Sequence, residues 1–297
     1  MLVLGVGGLV GEAWMTGFLA GMEERTGFDL RGADAYVGTS AGSIVAATLV
    51  AGVSPRRPDP HEALRTHETP RRRLDAAFRR ARRASFEASY PLANLAINVT
   101  APAVAVARAA FLASLPPGSR SMEELRHYVS ELGCEFDGRL RIVAVDQATG
   151  RRVVFGAPGA PSASVVDAVP ASCAVPSIYA PVSIGGRRYV DGGVWSPSNL
   201  DAADIGAGDR VICLLPTGVM SRSRRTVVRG LATALHSRTA VEVAGARRRG
   251  ATVHVVTPDA RAARVMGPNP LDPTRRPLAL REGFRQAIGS HERSEHA

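Results

Sequence analysis

The sequence predicts an α/β fold in which a mainly parallel β-sheet carries helices on both faces. Short apolar runs alternate with helical patterns over residues 1–50, and glycine clusters separate the two kinds of element. This alternation is typical of a parallel sheet that is covered on both sides. Hydrophobic residues fill 45% of the 297 positions, which provides ample core. We expect a single domain over residues 1–297.

The opening of the chain supplies two strand–helix units. A continuous apolar run within residues 1–5 predicts a short buried strand. Apolar side chains then recur at helical spacing over residues 12–25, and Gly27 is a stop signal. A second short strand over residues 33–37 precedes an Ala- and Val-rich helix over residues 43–50. The first two strands therefore enter the sheet in parallel.

An Arg-rich insertion interrupts this pattern between Ser54 and Gly118, where Pro, Arg and Ala dominate and strand signals vanish. We expect residues 54–118 to be helical. Residues 71–86 place apolar side chains on one helical stripe and arginines on the opposite side, which is typical of a basic amphipathic helix. This helix and the apolar residues 92–115 are a candidate lid.

Sheet signals resume after the insertion. Ser121 and Glu124 form a capping-box pattern for a helix that ends near Leu132. Residues 259–297 are predicted to form a C-terminal helical tail, with a helix from Leu278. The remaining predictions are strands over residues 140–145, 153–155, 178–184, 188–190, 211–215 and 252–256, and helices over residues 163–172 and 227–246.

Composition argues against several protein classes. No apolar stretch reaches the roughly 20 residues that cross a bilayer, and no basic segment precedes residues 1–5 as in a signal peptide. Cys134, Cys173 and Cys213 are widely spaced without a CxxC pair, so we expect neither disulfides nor a zinc site. We expect no cofactor or metal, and a cytoplasmic protein, either free or peripheral at a membrane.

The charge is strongly basic, with a net charge of +10 and arginine at all 37 basic positions. Residues 56–83 hold ten arginines against four acidic residues, and residues 222–249 hold eight against one. Clustered arginine attracts anionic membranes and nucleic acids without sequence specificity. Aromatic side chains are not interleaved with these arginines, so we expect no nucleic acid partner. Contact with an anionic membrane and a merely solvated helix face stay open as alternatives.

The first of three motifs is a glycine-rich loop, G-V-G-G-L-V-G at residues 5–11, between the first strand and the first helix. Glycines there allow several backbone N–H groups and the positive end of the helix to face one bound negative charge. The charge would belong to a phosphate or an oxyanion. A turn required only for packing and a dinucleotide site are the alternatives.

The second motif is G-T-S-A-G at residues 38–42, at a strand-to-helix junction. A G-x-S-x-G turn forces its serine into a strained backbone conformation, which is possible only when the residues two before and two after lack side chains. Gly38 and Gly42 meet this demand, so Ser40 is a candidate nucleophile. The alternative is that Thr39 and Ser40 merely cap the helix.

The third motif is Y-V-D-G-G at residues 189–193, where an aspartate leaves a strand into a glycine turn. Such turns are often structural. A buried carboxylate within reach of a serine can nevertheless take its proton. No histidine of the chain lies in a glycine-flanked loop after a strand, so a pair of Ser40 and Asp191 is the simplest hypothesis. The histidines are His61, His67, His127, His236, His254, His291 and His296.

Together these motifs, with G-T-S-A-G-S beginning 31 residues after Gly7 and A-S-C-A-V-P at residues 171–176, resemble the patatin-like phospholipase family. The resemblance covers residues 2–50 and 171–194. It implies a three-layer α/β/α fold and a Ser-Asp dyad that hydrolyses lipid or other acyl esters through an acyl-enzyme. By motif, the implied nucleophile is Ser40, the base Asp191, and the oxyanion hole the amides of Gly7, Gly8 and Leu9. The other motif glycines are Gly5, Gly11, Gly38, Gly42, Gly192 and Gly193.

Three other functions are alternatives to the lipid hydrolase. A dinucleotide-binding oxidoreductase needs an acidic residue at the end of the second strand, and Asp34 precedes that strand. An α/β-hydrolase with a triad ending at His254 would place its serine elbow after several strands, later than residue 40. A non-enzymatic Arg-rich binder is the third alternative.

Overall fold

The computed structural model describes residues 1–59, 102–217 and 238–289. An eight-stranded sheet runs through these ranges in the order β5-β6-β3-β2-β1-β7-β8, and β4 pairs with β3. The strands are β1 (Leu2–Leu4), β2 (Tyr36–Thr39), β3 (Leu140–Asp146), β4 (Arg152–Phe155), β5 (Val182–Ile184), β6 (Arg187–Asp191), β7 (Arg210–Leu214) and β8 (Thr252–Val256).

Helices cover both faces of the sheet. They are α1 (Gly8–Thr26), α2 (Ala41–Val50), α3 (Pro102–Ser114), α4 (Glu123–Leu132), α5 (Val165–Cys173), α6 (residues 238–248), α7 (Ala260–Met266) and α8 (Arg276–Ile288). None of the helices in the described ranges combines the length and apolar character needed to cross a membrane.

Pairing in the sheet is mixed, with a parallel centre. β8, β7, β1, β2 and β3 are parallel neighbours, whereas β4, β6 and β5 join by antiparallel pairing. Alternate residues of each central strand enter cores on opposite faces, as Leu2 and Leu4 do against Val3 in β1. The predicted α/β fold with a helix layer on each face is therefore confirmed.

Several predicted boundaries shift. α1 begins at Gly8, four residues before the predicted start, because the glycine loop turns directly into the helix. The capping box is wrong: α4 begins at Glu123 after an N-cap at Met122, and the Ser121 hydroxyl accepts from the Glu123 amide. The predicted strand over residues 178–184 is confined to β5, with an isolated bridge from Tyr179 to Arg120.

Part of the Arg-rich insertion falls within the described residues. α3 occupies residues 102–114, and its Leu112 packs against Val190 and Val194. The predicted basic helix over residues 71–86 and residues 227–237 of the later predicted helix lie outside the described ranges. The domain assignment, including the lid, stays a prediction.

α1 and α8 pack against each other at glycine positions. A Cβ atom at Gly17 of α1 would lie 2.0 Å from the Leu280 carbonyl oxygen, and one at Gly283 of α8 would lie 2.2 Å from the Trp14 carbonyl oxygen. Both distances are far below van der Waals contact, so the helix backbones approach as closely as they do only because side chains are missing. This contact attaches the C-terminal segment to the helix that begins at the glycine loop.

We expect Gly283→Ala to lower the free energy of unfolding by about 1–3 kcal/mol, because the new methyl group would push α8 away from the Trp14 carbonyl. In an exposed helix the same exchange is stabilising. Gly289→Ala is the matched control, since nothing lies within 4 Å of its Cβ position. Urea denaturation measures both variants. Equal midpoints for the two variants would contradict the close packing.

Candidate active site

The carboxyl ends of β2 and β6 meet on one edge of β3. β4 covers the other edge along Ile142–Val145, so β2 and β6 must share the remaining one. β2 ends with Thr39 opposite Val143, and β6 ends with Asp191 opposite Ala144. Two strands that run in opposite directions thus finish at adjacent positions of β3. This register brings the elbow serine and the aspartate of the third motif together.

Ser40 lies at the junction of β2 and α2 in a conformation that a side chain rarely adopts, with φ 52° and ψ −123°. Its side chain makes no capping hydrogen bond to α2, so the alternative of a simple helix cap is wrong. Positive φ in a non-glycine residue costs of order 1–3 kcal/mol and is concentrated at functional sites. The backbone therefore has the geometry expected of a nucleophile elbow.

The flanking glycines make this turn sterically possible. A Cβ atom at Gly38 would lie 2.5 Å from the Cα atom of Ser43, and one at Gly42 would lie 1.8 Å from the Leu4 carbonyl oxygen. Neither neighbour is a flexible side chain that could move aside. The two positions that the motif requires to be glycine are thus the ones where no side chain fits.

The side chain of Ser172, on α5, binds the backbone of the elbow through a hydrogen bond that the sequence did not predict. Its hydroxyl accepts a hydrogen bond from the Ser40 amide at 2.9 Å and donates to the Val143 carbonyl at 2.6 Å. The Ser43 hydroxyl donates to the Ser40 carbonyl at 2.7 Å. In the sequence, Ser172 stands out only as a polar residue within an apolar helical segment. Its partners Ser40 and Val143 are distant in the chain, so the sequence pattern could not predict which residues it would contact.

Asp191 is buried beside Ser40, with 5% of its surface exposed. Burial raises the pKa of its carboxyl to about 7, and hydrogen bonds from the Gly193 amide and the Ser40 side chain oppose that rise. The Gly193 amide donates to Oδ1 at 2.7 Å, while the Asp191 amide donates to the Ala174 carbonyl at 2.9 Å. The carboxyl group can therefore accept or release a proton near neutral pH.

The glycine loop lies against the same turn. A Cβ atom at Gly193 would come within 2.7 Å of a Val6 side-chain carbon, so the first and third motifs are in contact. Gly7 is the N-cap of α1, and Gly8 has φ 60°. These two residues and Leu9 therefore occupy the positive end of α1, and the loop reaches the aspartate turn through Val6.

The amide groups of this loop divide into two sets. The Val10 amide donates to the Pro270 carbonyl at 3.0 Å, and the Gly11 amide donates to the Gly7 carbonyl at 2.9 Å. Over the described ranges, the amides of Gly7, Gly8 and Leu9 donate to no protein oxygen. Free amides at the N-terminus of a helix are suited to bind an anion or a developing oxyanion.

Histidines that the structure describes lie away from this cluster. His127 is on α4 near Glu131, and His254 is exposed on β8. β8 is separated from β2 by β1 and β7, so a triad from Ser40 to His254 is not formed. Among the described residues, no group of three His, Cys, Asp or Glu side chains is arranged to hold a metal ion.

A cavity of about 590 Å³ lies beside β6, between α3 and the loop that follows α5. Its lining is mostly apolar and includes Val190, the residue before Asp191, and Pro176, two residues after Ala174. α3 contributes Val106, Ala109 and Ala113 to the lining. The cavity thus borders the strand and the loop that hold the aspartate, and neither Ser40 nor Asp191 is among its lining residues.

The raised pKa of Asp191 predicts how the free energy of unfolding depends on pH, and this can be tested without a substrate. Because burial raises the pKa of Asp191 from the ordinary 3.8 to about 7, the folded protein holds the proton to higher pH than the unfolded chain. Its stability should therefore fall as pH rises from about 4 to 7. We expect Asp191→Asn to gain stability over the wild type between pH 5 and pH 8, measured by urea denaturation, since an amide has no charge to bury.

The control for that experiment is Asp204→Asn, at an exposed carboxylate. The free energy of unfolding of this variant should equal that of the wild type at pH 5 and at pH 8. A difference between Asp191→Asn and the wild type that stays constant with pH would contradict the raised pKa.

A comparison with models of protein families agrees with these motifs. The patatin-like phospholipase family model matches residues 2–204. The crystal structure of VipD from Legionella pneumophila is similar with a TM-score of 0.39 and 14% identity, over 98% of this chain and 66% of that one. This chain thus spans slightly less than two thirds of that protein. No curated protein matches. Since the family model covers more than half of the sequence, the chain belongs to the patatin-like phospholipase family.

Proposed function

We propose that the protein is a lipid acyl hydrolase that cleaves carboxylic esters through an acyl-enzyme on Ser40, with Asp191 as the base. The family supports the class of activity. The observation that carries the specific mechanism is the strained Ser40 turn beside a buried carboxyl group whose pKa is about 7. Nucleophile, base and free amides are supplied by three different motifs at one end of the sheet.

In the acylation step, Asp191 takes the proton of Ser40 while the serine oxygen attacks the carbonyl carbon of the ester. The electron pair of the carbonyl bond moves to oxygen, and the resulting oxyanion accepts hydrogen bonds from the amides of Gly7, Gly8 and Leu9. When the tetrahedral intermediate collapses, the bond to the alcohol breaks. The leaving alcohol takes the proton from Asp191, and the acyl group stays on Ser40.

Deacylation repeats these events with water. Asp191 takes a proton from a water molecule, whose oxygen attacks the acyl carbon. The second tetrahedral intermediate uses the same amides, then releases a carboxylic acid and returns the proton to Ser40. Since only the ionised carboxylate acts as a base, a pKa of about 7 links turnover to pH near neutrality.

We expect Ser40→Ala and Asp191→Asn each to lower turnover of a chromogenic medium-chain ester at least about a thousandfold, because each removes a group that forms or breaks a bond. Ser183→Ala, at an exposed serine of β5, should retain wild-type turnover. A fluorophosphonate probe should label the wild type at Ser40, as mapped by mass spectrometry. Labelling that persists in Ser40→Ala would reject the nucleophile.

The apolar cavity beside β6 is the proposed site of the acyl chain. It is bordered by Val190 and has small side chains of α3 along one wall, which suits an unbranched hydrocarbon. This assignment gives a role to α3, the described part of the Arg-rich insertion. Closure by residues 54–118 as a lid remains a proposal of the same kind.

Filling the cavity should change the preferred chain length. We expect Ala113→Trp to lower kcat/KM for a dodecanoyl ester about tenfold relative to a butanoyl ester, since the indole would occupy the space of several methylene groups. Ala107→Trp on the exposed side of α3 is the control. An unchanged ratio in Ala113→Trp would exclude the cavity as the acyl site.

Membrane contact and location are proposed on charge alone. The arginine clusters at residues 56–83 and 222–249 favour an anionic lipid surface, and a cytoplasmic protein that binds such a surface peripherally fits them. The dinucleotide alternative is disfavoured, because β2 ends at Thr39 and is followed by Ser40, with no acidic residue to bind a ribose.

A further inference from the structure

A buried asparagine lies at the point where the elbow and the aspartate turn meet. Asn199 is fully buried eight residues after Asp191 and has a left-handed backbone, with φ 49° and ψ 35°. Asparagine tolerates this conformation better than most residues. In the described ranges only Ser40, Ser177 and Asn199 combine a side chain with positive φ. Two of these three residues thus lie at the proposed active site.

The side-chain amide of Asn199 joins both halves of the site. Its Nδ2 atom lies 3.2 Å from the Thr39 hydroxyl oxygen, 3.2 Å from the Gly192 carbonyl oxygen and 2.7 Å from the Ser196 carbonyl oxygen. Thr39 immediately precedes Ser40, and Gly192 immediately follows Asp191. One NH₂ group therefore donates hydrogen bonds to the residue next to the nucleophile and to the residue next to the base.

Hydrogen bonds from the backbone of Asn199 and from its two neighbours hold this residue in place. Its backbone amide donates to the Ser196 hydroxyl at 3.2 Å. The neighbouring Ser198 hydroxyl and Leu200 amide both donate to one carboxylate oxygen of Glu242, at 2.6 and 3.0 Å. Glu242 is buried on α6, outside the residues that the family model matches. A later part of the chain thus sets the position of the asparagine.

We propose that Asn199 is a positioning residue, whose amide fixes the distance and angle between the Ser40 hydroxyl and the Asp191 carboxylate. This inference rests on the proposed function. The backbone ladder of β3 brings the two strand ends together, but Asp191 is the last paired residue of β6 and Ser40 lies beyond the last pair of β2. Asn199 supplies the next constraint, since its NH₂ group shares its two protons among the Ser196 carbonyl, at 2.7 Å, and the oxygens of Thr39 and Gly192 on either side of the gap. Because the amide is neutral, it adds no charge beside the buried Asp191.

Asparagine is the side chain that this position requires. Aspartate has the same shape, but when ionised it has no hydrogen to donate to Thr39 or Gly192. It would also place a second carboxylate near Asp191. Alanine would leave the Gly192 carbonyl and the Thr39 hydroxyl without this partner in a buried setting, which is costly. Misplacement of a reacting group by about 1 Å can lower a rate about a hundredfold.

The test measures turnover per active site in Asn199→Ala, Asn199→Asp and a matched pair at the partner, Thr39→Val and Thr39→Ser. Active sites are counted by saturating fluorophosphonate labelling, so that misfolded protein does not enter kcat. We expect Asn199→Ala and Asn199→Asp to lower kcat by about 10- to 100-fold with KM within about threefold. Thr39→Val should lower kcat several-fold, and Thr39→Ser, which keeps the hydroxyl, should restore it.

Two further readouts separate positioning from simple destabilisation. Asn199→Ala combined with Thr39→Val should be no slower than Asn199→Ala alone, because both remove the same hydrogen bond. The midpoint of the pH dependence of kcat/KM in Asn199→Ala should move below that of the wild type, since a loosened turn hydrates Asp191 and lowers its pKa. A loss of folded protein changes neither measurement.

Wild-type kcat per active site in Asn199→Ala would overturn the inference, as would an additive double variant with an unshifted pH profile. If the Asn199 variants fail to fold, the Thr39 pair decides, and equal kcat for Thr39→Val and Thr39→Ser overturns the inference. Failure of the proposed function is distinct. In that case the wild type is not labelled at Ser40, or Ser40→Ala keeps full turnover.

Discussion

The candidate site depends on the backbone pairing along one edge of β3. β2 approaches this edge in parallel and β6 in antiparallel, and they end opposite Val143 and Ala144. Ladder hydrogen bonds fix the register of each strand, and a shift of one residue would turn every side chain to the other face. The closeness of Ser40 and Asp191 is thus a consequence of the strand register in the sheet.

Two unfavourable features lie at this junction and are maintained by what surrounds them. Ser40 has a strained backbone conformation. Asp191 is a buried carboxyl group, and none of the groups that shift its pKa is a cation. Ser172 and Asn199 oppose these costs with hydrogen bonds to the residues concerned or their neighbours. Strain and burial of this kind are kept at functional sites because they hold reacting groups ready.

The segment beyond the family match supports the site from outside. β7 pairs with β1, and its Leu214 carbonyl accepts from the Gly5 amide. The Pro270 carbonyl accepts from the Val10 amide and thereby fixes the start of α1. A buried ion pair joins Glu12 of α1 to Arg276 of α8. The glycine loop is therefore held in place by residues that lie outside all three motifs.

The amino-acid sequence by itself determined the α/β class, the strand–helix order of the opening and the elbow. Each follows from local rules, such as apolar periodicity and the need for Gly38 and Gly42 beside a strained serine. Local rules did not give the start of α1, because glycines favour helix weakly and packing stabilises it there. Only the tertiary structure decided that Ser172 and Asn199 bind the elbow and the aspartate turn. Their hydrogen bonds join residues brought together by strand register, and no short-range pattern encodes that register.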